Sequence, residues 1–162
     1  MFYTLPFDNK VTHATADTYL TVASLIVPDT AGVRCRIRSL TVGPAQDSQT
    51  DIPYAIKIDR IDDVSAGTAG TKTAVAVADI GKKDPGAPNS TVSGGVAYTV
   101  EPTTYNGEPL WLSAQNDRGT LIKEWGPEDA PSADADMLLG VLMAPRTSVA
   151  ITVSGCIEFE VY

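Results

Sequence analysis

The sequence predicts an all-β fold, a jelly roll or a related Greek-key sandwich of roughly eight antiparallel strands. Three observations predict it. Apolar and polar residues alternate from Val149 to Val161, which is the period of a half-buried strand. The 13 glycines and 11 prolines stand at the ends of apolar runs, as in chains with many short strands. The remaining apolar runs have no helical period, and no long internal repeat indicates a propeller or a solenoid.

The composition favours one globular domain with an acidic surface. The chain has 162 residues, of which 43% are hydrophobic, and this is enough for one core. Its net charge of -8 repels phosphate backbones, so we expect no nucleic-acid partner. No apolar run is long enough to span a membrane, and the first residues do not have the pattern of a signal peptide. We therefore expect a protein made and folded in a cytoplasm, without a membrane partner.

Residues 1–17 are predicted to form an extended N-terminal arm, followed by a single β-sandwich domain at 18–162. Pro6 prevents a helix, and the pair Asp8-Asn9 favours a turn. The aromatic side chains of the arm need burial, on this subunit or on a neighbour: Phe2, Tyr3 and Phe7. We expect the arm to pack on a neighbouring subunit, for instance as an added strand.

The elements of the domain follow from apolar runs and the breakers between them. After Ser39 the apolar parity changes, which predicts a bulge. A helix remains open for 71–80, and Met137–Met143 is either a buried strand or a short helical turn. The segments Leu110–Gln115 and Leu121–Trp125 are predicted to form a hairpin. The predicted strands are 18–27, Val33–Val42, Tyr54–Ile61, Thr71–Ile80, Val96–Val100, Leu110–Gln115, Leu121–Trp125, Met137–Met143 and Val149–Val161; the predicted loops are 44–52, 62–70, 81–95 and 126–136.

The two cysteines are predicted to be free. By strand parity Cys35 faces inward with Ile37, whereas Cys156 shares the outward face with Glu158. Opposite faces argue against a disulfide, and free thiols fit a reducing compartment. An immunoglobulin-like sandwich is the second choice of fold, but the spacing from Cys35 through Trp111 to Cys156 is too long for a true immunoglobulin domain.

Residues suited to catalysis or metal binding do not form a recognisable constellation, so we expect neither an enzyme nor a cofactor. His13 is the only histidine, and its place in the arm predicts a surface residue and not a catalytic or zinc-binding one. The carboxylates are interpreted as solvated loop residues, with a loop calcium ion or a glycosidase pair as alternatives. They form two clusters: Asp59, Asp62 and Asp63, and Glu128, Asp129, Asp134 and Asp136.

Two further groups are candidate interface residues. Arg34, Arg36 and Arg38 line one face of a predicted strand, where they pair with Glu158 and Glu160 or form a docking surface. Tryptophans flank the predicted hairpin at Trp111 and Trp125. They are interpreted as core or interface residues, with sugar stacking as the alternative.

Both ends of the chain resemble small all-β proteins encoded by tailed bacteriophages, often in head-structure gene regions. The resemblance rests on three segments: Phe2-Tyr3-Thr4-Leu5-Pro6-Phe7, Glu124-Trp125-Gly126-Pro127-Glu128, and the terminal strand from Ile151 to Glu160 with Ser154-Gly155 at its middle and Phe159-Glu160 at its end. It covers the ends better than the middle, and it brings no catalytic residues.

The resemblance implies a virion protein, a capsid decoration (cement) protein of jelly-roll type that sits on the shell as a homotrimer. Its partners would be the major capsid protein and its own copies, and its location the capsid surface. A carbohydrate-binding sandwich of a phage tail or host-recognition apparatus is the alternative.

Overall fold

The computed structural model describes residues 1–12, 14–45, 51–64, 70–102 and 105–162. These ranges form twelve strands and no helix, which confirms the all-β prediction. Three strands had not been predicted: β1, and the two-residue strands β6 and β10, which are too short to show a period. The strands are β1 (Phe2–Val11), β2 (Leu20–Ile26), β3 (Cys35–Pro44), β4 (Pro53–Ile61), β5 (Thr71–Val75), β6 (Gly81–Lys82), β7 (Ser93–Val100), β8 (Trp111–Asn116), β9 (Leu121–Glu124), β10 (Ser132–Ala133), β11 (Leu138–Pro145) and β12 (Thr152–Val161).

The strands form two antiparallel sheets that pack face to face. Sheet A has the order β10-β3-β12-β1-β6, with β9 also pairing with β3, and sheet B has the order β5-β7-β2-β11-β4-β8. The pairs are nested along the chain: β1 with β12, β2 with β11, β3 with β9 and β10, and β4 with β8. One long hairpin folded over into two sheets has this pairing, which favours a jelly roll among Greek-key sandwiches.

Strand β1 corrects the prediction of a separate N-terminal arm. It pairs with β12 along its length and with β6 at Tyr3 and Thr4. Tyr3, Leu5 and Phe7 point into the core of the same chain, so two of the three aromatic residues are buried there and not on a neighbour, while Phe2 is exposed. Pro6 lies beyond the two residues that pair with β6, where β1 has a neighbour on one side only and a residue without an N–H is tolerated.

Strand β12 is the centre of sheet A, between β1 and β3. The predicted alternation is confirmed where the strand is paired, since Val153, Ile157 and Phe159 are buried. Val149 departs from it and is exposed, because the chain bends before the strand begins at Thr152. The predicted bulge near Ser39 is confirmed as a register shift between β3 and β12.

Strands β8 and β9 are consecutive but do not form the predicted hairpin. β8 pairs with β4 at the edge of sheet B, and β9 pairs with β3 in sheet A. The turn after Asn116 therefore carries the chain from one sheet to the other. Of the two alternatives for residues 137–143, a buried strand or a helical turn, the structure has the strand, since β11 is buried at every position. The strand predicted for 71–80 is shorter, because β5 ends at Val75 and turns follow it.

Candidate interaction surface

Phe2 and Arg36, from two separate groups of predicted interface residues, lie in one row across the outer face of sheet A. The register places Phe2 opposite Glu160, and Glu160 opposite Arg36. The Arg36 Nε and Nη2 atoms each lie 2.8 Å from Glu160 Oε2. The Arg36 guanidinium carbon also stands 4.8 Å from the centre of the Tyr162 ring. β12 thus joins residues 34 positions apart in sequence into one surface.

Exposed apolar side chains from both ends of the chain surround this row. Met1, Phe2 and Tyr162 are 57%, 47% and 50% exposed, respectively. Together with Pro88 and Val161 they form what we call the terminal apolar surface. Clustered exposed apolar residues of this kind mark interaction sites more often than single ones do.

Backbone hydrogen bonds hold the terminal apolar surface in place. The Met1 amino group donates to the Val161 carbonyl over 2.8 Å. Arg34 and Tyr162 exchange two backbone hydrogen bonds of 3.1 Å each. Since both chain ends are tied to sheet A, little conformational entropy remains to be lost when a partner binds.

Two adjacent cavities open on the terminal apolar surface and share Met1 and Pro88 as walls. The larger, of about 430 Å³, also contacts Phe2 and ends at the polar side chains of Lys83 and Asp84. The smaller, of about 300 Å³, is lined mostly by apolar residues and by Tyr162, with Asn89 and Thr91 as polar neighbours. They offer apolar depressions with polar rims, the form that receives a protruding side chain of a partner.

Two of the three arginines of the stripe form ion pairs within the chain. Arg36 pairs with Glu160, as one of the two predictions for the stripe has it, while Arg34 pairs with Asp134 over 2.9 Å. Glu158 pairs with Lys83 instead, over 2.6 Å, and this cation and a hydrogen bond from Ser39 lower the pKa of Glu158. Arg38 has no ion pair among the described residues.

Tyr3 and Phe7 are corrected from interface residues to core residues. Each is at most 3% exposed, and the Tyr3 ring stacks on Phe159 with the ring centres 5.6 Å apart. The Phe7 ring covers Gly155, where an added Cβ would lie 2.6 Å from Phe7 Cζ. The place beside Gly155, which has no side chain of its own, is thus filled by a residue of the same chain.

The two tryptophans close the side of the sandwich between the sheets. Trp111 and Trp125 meet edge to face, with ring centres 5.5 Å apart. Trp125 is 8% exposed, so of the two roles predicted for it, core or interface, it has the core one. Trp111 is half-buried at the start of edge strand β8, so part of its ring remains at the surface.

A buried polar cluster on the outer face of sheet B had not been predicted. The Thr21 N–H and hydroxyl donate to the Glu101 carboxylate over 2.9 and 2.6 Å, and the Tyr105 hydroxyl lies 3.0 Å from Thr21 Oγ1. Nearby, Ser24 and Tyr98 share a hydrogen bond of 2.6 Å. Tyr98, Glu101 and Tyr105 thus lie over the outer face of sheet B and shield Thr21 and Ser24 from solvent. The sequence signal that marks this region, Tyr105-Asn106-Gly107, indicates only a turn.

The first carboxylate cluster divides between the interior and the surface. Asp59 is fully buried and accepts hydrogen bonds from Lys57 Nζ over 3.0 Å and from the Arg60 N–H over 2.8 Å, which corrects its assignment to a solvated loop. Asp62 is exposed, and a hydrogen bond from Asn106 lowers its pKa. No three His, Cys, Asp or Glu side chains in the described ranges come together as a metal site. His13 lies outside the described residues.

Both thiols are free and lie on opposite sides of sheet A, as predicted. Cys35 is buried in the core, and desolvation raises its pKa to about 12. Cys156 is half-buried on the outer face, where desolvation and then the charge of Glu158 raise its pKa. Neither thiol has the depressed pKa of a reactive cysteine.

Comparisons of the chain with protein-family models, with curated proteins and with solved structures find no match. The described part of the chain has no helix, and so none with the length and hydropathy that crossing a membrane requires.

Proposed function

We propose that this chain is a structural protein of a virus particle, a decoration protein that binds the outside of a phage capsid as a homo-oligomer. The terminal apolar surface carries the proposal, because exposed Met1, Phe2 and Tyr162 need a partner to cover them. The resemblance of both chain ends to small phage head proteins supplies the class of partner, the major capsid protein.

The mechanism is stabilisation by a rigid contact. The surface is built on β1 and β12, two paired strands of sheet A, and both chain ends are fixed by backbone hydrogen bonds. A side chain of the capsid protein that enters the cavity beside Phe2 would bury apolar area on both partners without reordering this chain. Binding free energy is then available to hold neighbouring capsid subunits together.

Cosedimentation with empty heads of the encoding phage tests the proposal. The wild-type chain should pellet with the heads, and the double variant Phe2→Ala/Tyr162→Ala should bind at least about 10-fold more weakly, as expected for two central apolar contacts. Val149→Ala is the matched control. Val149 is also exposed and apolar, but it lies before β12, at the end of that strand away from Tyr162. Absence of the wild-type chain from the pellet would contradict the proposal.

Carbohydrate binding is the second candidate, because the same surface combines an exposed aromatic ring with polar side chains. Tyr162 is half exposed beside the 300 Å³ cavity, which Asn89 also lines, and Arg36 lies against its ring. Sugars stack on aromatic faces while amides and charged groups bind their hydroxyls. A glycan array with hits that Tyr162→Ala abolishes, together with no binding to heads, would favour this function over the first.

A further inference from the structure

Strand β8 differs from the other sheet edges in the described ranges. β6 and β10 are two residues long, β9 has four residues and carries Lys123 and Glu124, and β5 carries Lys72 and has a register shift. Short length, charge and irregularity are the usual protections of an edge strand against further pairing. β8 has none of them.

The edge of β8 is regular and uncharged. Its sequence is Trp-Leu-Ser-Ala-Gln-Asn, and it pairs with β4 over six consecutive residues without a register shift. Leu112 is 54% exposed, and Ala114 is exposed on the same outward face. Every second residue of an edge strand turns its N–H and C=O away from the sheet, so β8 offers a ready hydrogen-bonding template.

We infer that β8 pairs antiparallel with β8 of a second copy of this chain, about a twofold axis at Ser113, and joins two B sheets into one. Self-pairing suits a strand without charges, because other surfaces of a chain with net charge -8 repel their copies. The twofold places Leu112 opposite Ala114 of the second copy, an apolar pair that occurs twice.

Charge complementarity favours this register. Glu108 and Arg118 each lie five residues from Ser113, on opposite sides. Glu108 lies in the bend before β8 and Arg118 in the turn after it, so antiparallel pairing about Ser113 places the Glu108 end of one strand beside the Arg118 end of the second copy at both ends of the contact. Glu108 is exposed, and the Arg118 side chain is 62% exposed although it pairs with Asp51 of its own chain over 3.3 Å. A shift of the register by two residues separates both charge pairs.

The contact is small and yields a dimer, not the homotrimer that the resemblance implies. One edge pairing buries less than a standard interface, so we expect a monomer–dimer equilibrium between about 10 µM and 1 mM protein. The inference does not depend on capsid binding. Mass measurements on the purified chain test the dimer alone, and the cosedimentation experiment tests the capsid contact alone.

Sedimentation equilibrium of the full chain and its variants tests the inference. Wild type should approach twice the 17.1 kDa mass of one chain as its concentration rises. Glu108→Arg sets Arg against Arg118 of the second copy and should weaken dimerisation by roughly 2- to 30-fold. Glu108→Arg/Arg118→Glu restores opposite charges and should recover most of the loss, which a misfolded variant would not do.

A second pair of variants tests the centre of the strand. Leu112→Lys/Ala114→Lys places like charges opposite each other twice and should abolish the dimer, whereas Leu112→Lys/Ala114→Glu should retain it. Thr73→Lys, on edge strand β5 of the same sheet, is the control and should dimerise like wild type. A monomer at every concentration, a trimer, or equal dimerisation of the two lysine variants would overturn the inference. If β8 pairs instead with a strand of a different protein, the purified chain should be a monomer at every concentration.

Discussion

Gly140 is a position where one added methyl group should be costly, because the ring of Tyr105 lies directly against it. A Cβ at Gly140 would stand 2.1 Å from the Tyr105 hydroxyl oxygen, 2.8 Å from Cζ and 3.0 Å from Cε1. Gly140→Ala must therefore displace the whole ring. Forced repacking costs about 1–3 kcal/mol. The displaced hydroxyl also loses its hydrogen bond to Thr21, which adds about 1 kcal/mol.

We therefore expect Gly140→Ala to lower the free energy of unfolding by about 2–4 kcal/mol. The three closest atoms all belong to Tyr105, so removal of that side chain should remove the penalty. In the Tyr105→Ala background, Gly140→Ala should be neutral or stabilising by up to about 1 kcal/mol, since alanine costs less backbone entropy than glycine in a strand. Wild type, the two single variants and the double variant form a double-mutant cycle, whose coupling energy should be at least about 2 kcal/mol.

Urea unfolding of the four proteins, followed by circular dichroism, measures the cycle. The midpoints should change while the slopes stay constant, because the exposed area on unfolding is unchanged. An equal cost of Gly140→Ala in both backgrounds would refute the reasoning, as it would place the obstruction in the strands and not in Tyr105. A cost below about 0.5 kcal/mol in wild type would show that the ring is not held against β11.

Three further predictions concern single groups. Tyr54→Phe should leave the free energy of unfolding unchanged or raise it by up to about 1 kcal/mol, because the buried hydroxyl has no hydrogen-bond partner among the described residues; a loss of more than about 1 kcal/mol in urea unfolding would contradict this. A thiol reagent should label Cys156 of the native protein slowly, and faster as pH rises, because the pKa of this thiol is raised. Cys35 is buried and should react only after unfolding. Labelling of the native Cys156→Ser variant would contradict this, since it would show that the core opens. The lowered pKa of Glu158 means that its pairing with Lys83 stabilises the fold above the unfolded pKa of the carboxyl and is lost as pH falls. Glu158→Gln should thus cost about 0.5 kcal/mol at pH 7, a small value because both side chains are over a third exposed, and nothing once the pH lies below the folded pKa of the carboxyl. A difference that persists below that pKa would refute the pairing.

Local periodicity was sufficient to predict the strands that face the core on one side and solvent on the other. The alternation around Val153, Ile157 and Phe159 reports a core on one side and solvent on the other, and the structure has both. β1 has the same pattern at Tyr3, Leu5 and Phe7, but Pro6 was used only to exclude a helix, and the segment was assigned to an arm that packs on a neighbouring subunit. The sequence could not reveal that β6 covers only the first part of β1 and leaves a place for a proline.

Pairing between distant segments could not be predicted from local pattern. β8 and β9 are separated by a turn signal, which in sequence is the same whether the chain returns beside itself or crosses to the other sheet. The path after Asn116 is decided by the partners of the two strands, because β8 pairs with β4 and β9 pairs with β3, and both partners are distant in sequence. Asp59 was assigned to a solvated loop for a related reason: its burial in β4 depends on packing in the folded sheet, which the local sequence does not show.

The same limit applies to the candidate surface. Phe2 and Arg36 were each predicted as interface residues from their own segments, but only β12 between them shows that they belong to one surface. Tyr162 joins that surface because its backbone pairs with Arg34. Residue type thus predicted some members of the terminal apolar surface, while the register of distant strands shows which residues lie together in it.

The two proposed contacts use different parts of the sandwich, and their combination has a consequence for affinity. The terminal apolar surface lies on sheet A, whereas β8 is the outer edge of sheet B. A dimer through β8 therefore leaves both of its terminal apolar surfaces accessible. Two such surfaces on one particle can engage a repetitive shell together, and the second binding event then occurs at a high effective concentration. Glu108→Arg should accordingly weaken binding to intact heads while leaving binding to an isolated capsid subunit unchanged, whereas Phe2→Ala/Tyr162→Ala should weaken both. Equal effects of the two variants on heads and on subunits would show that the contacts are not independent.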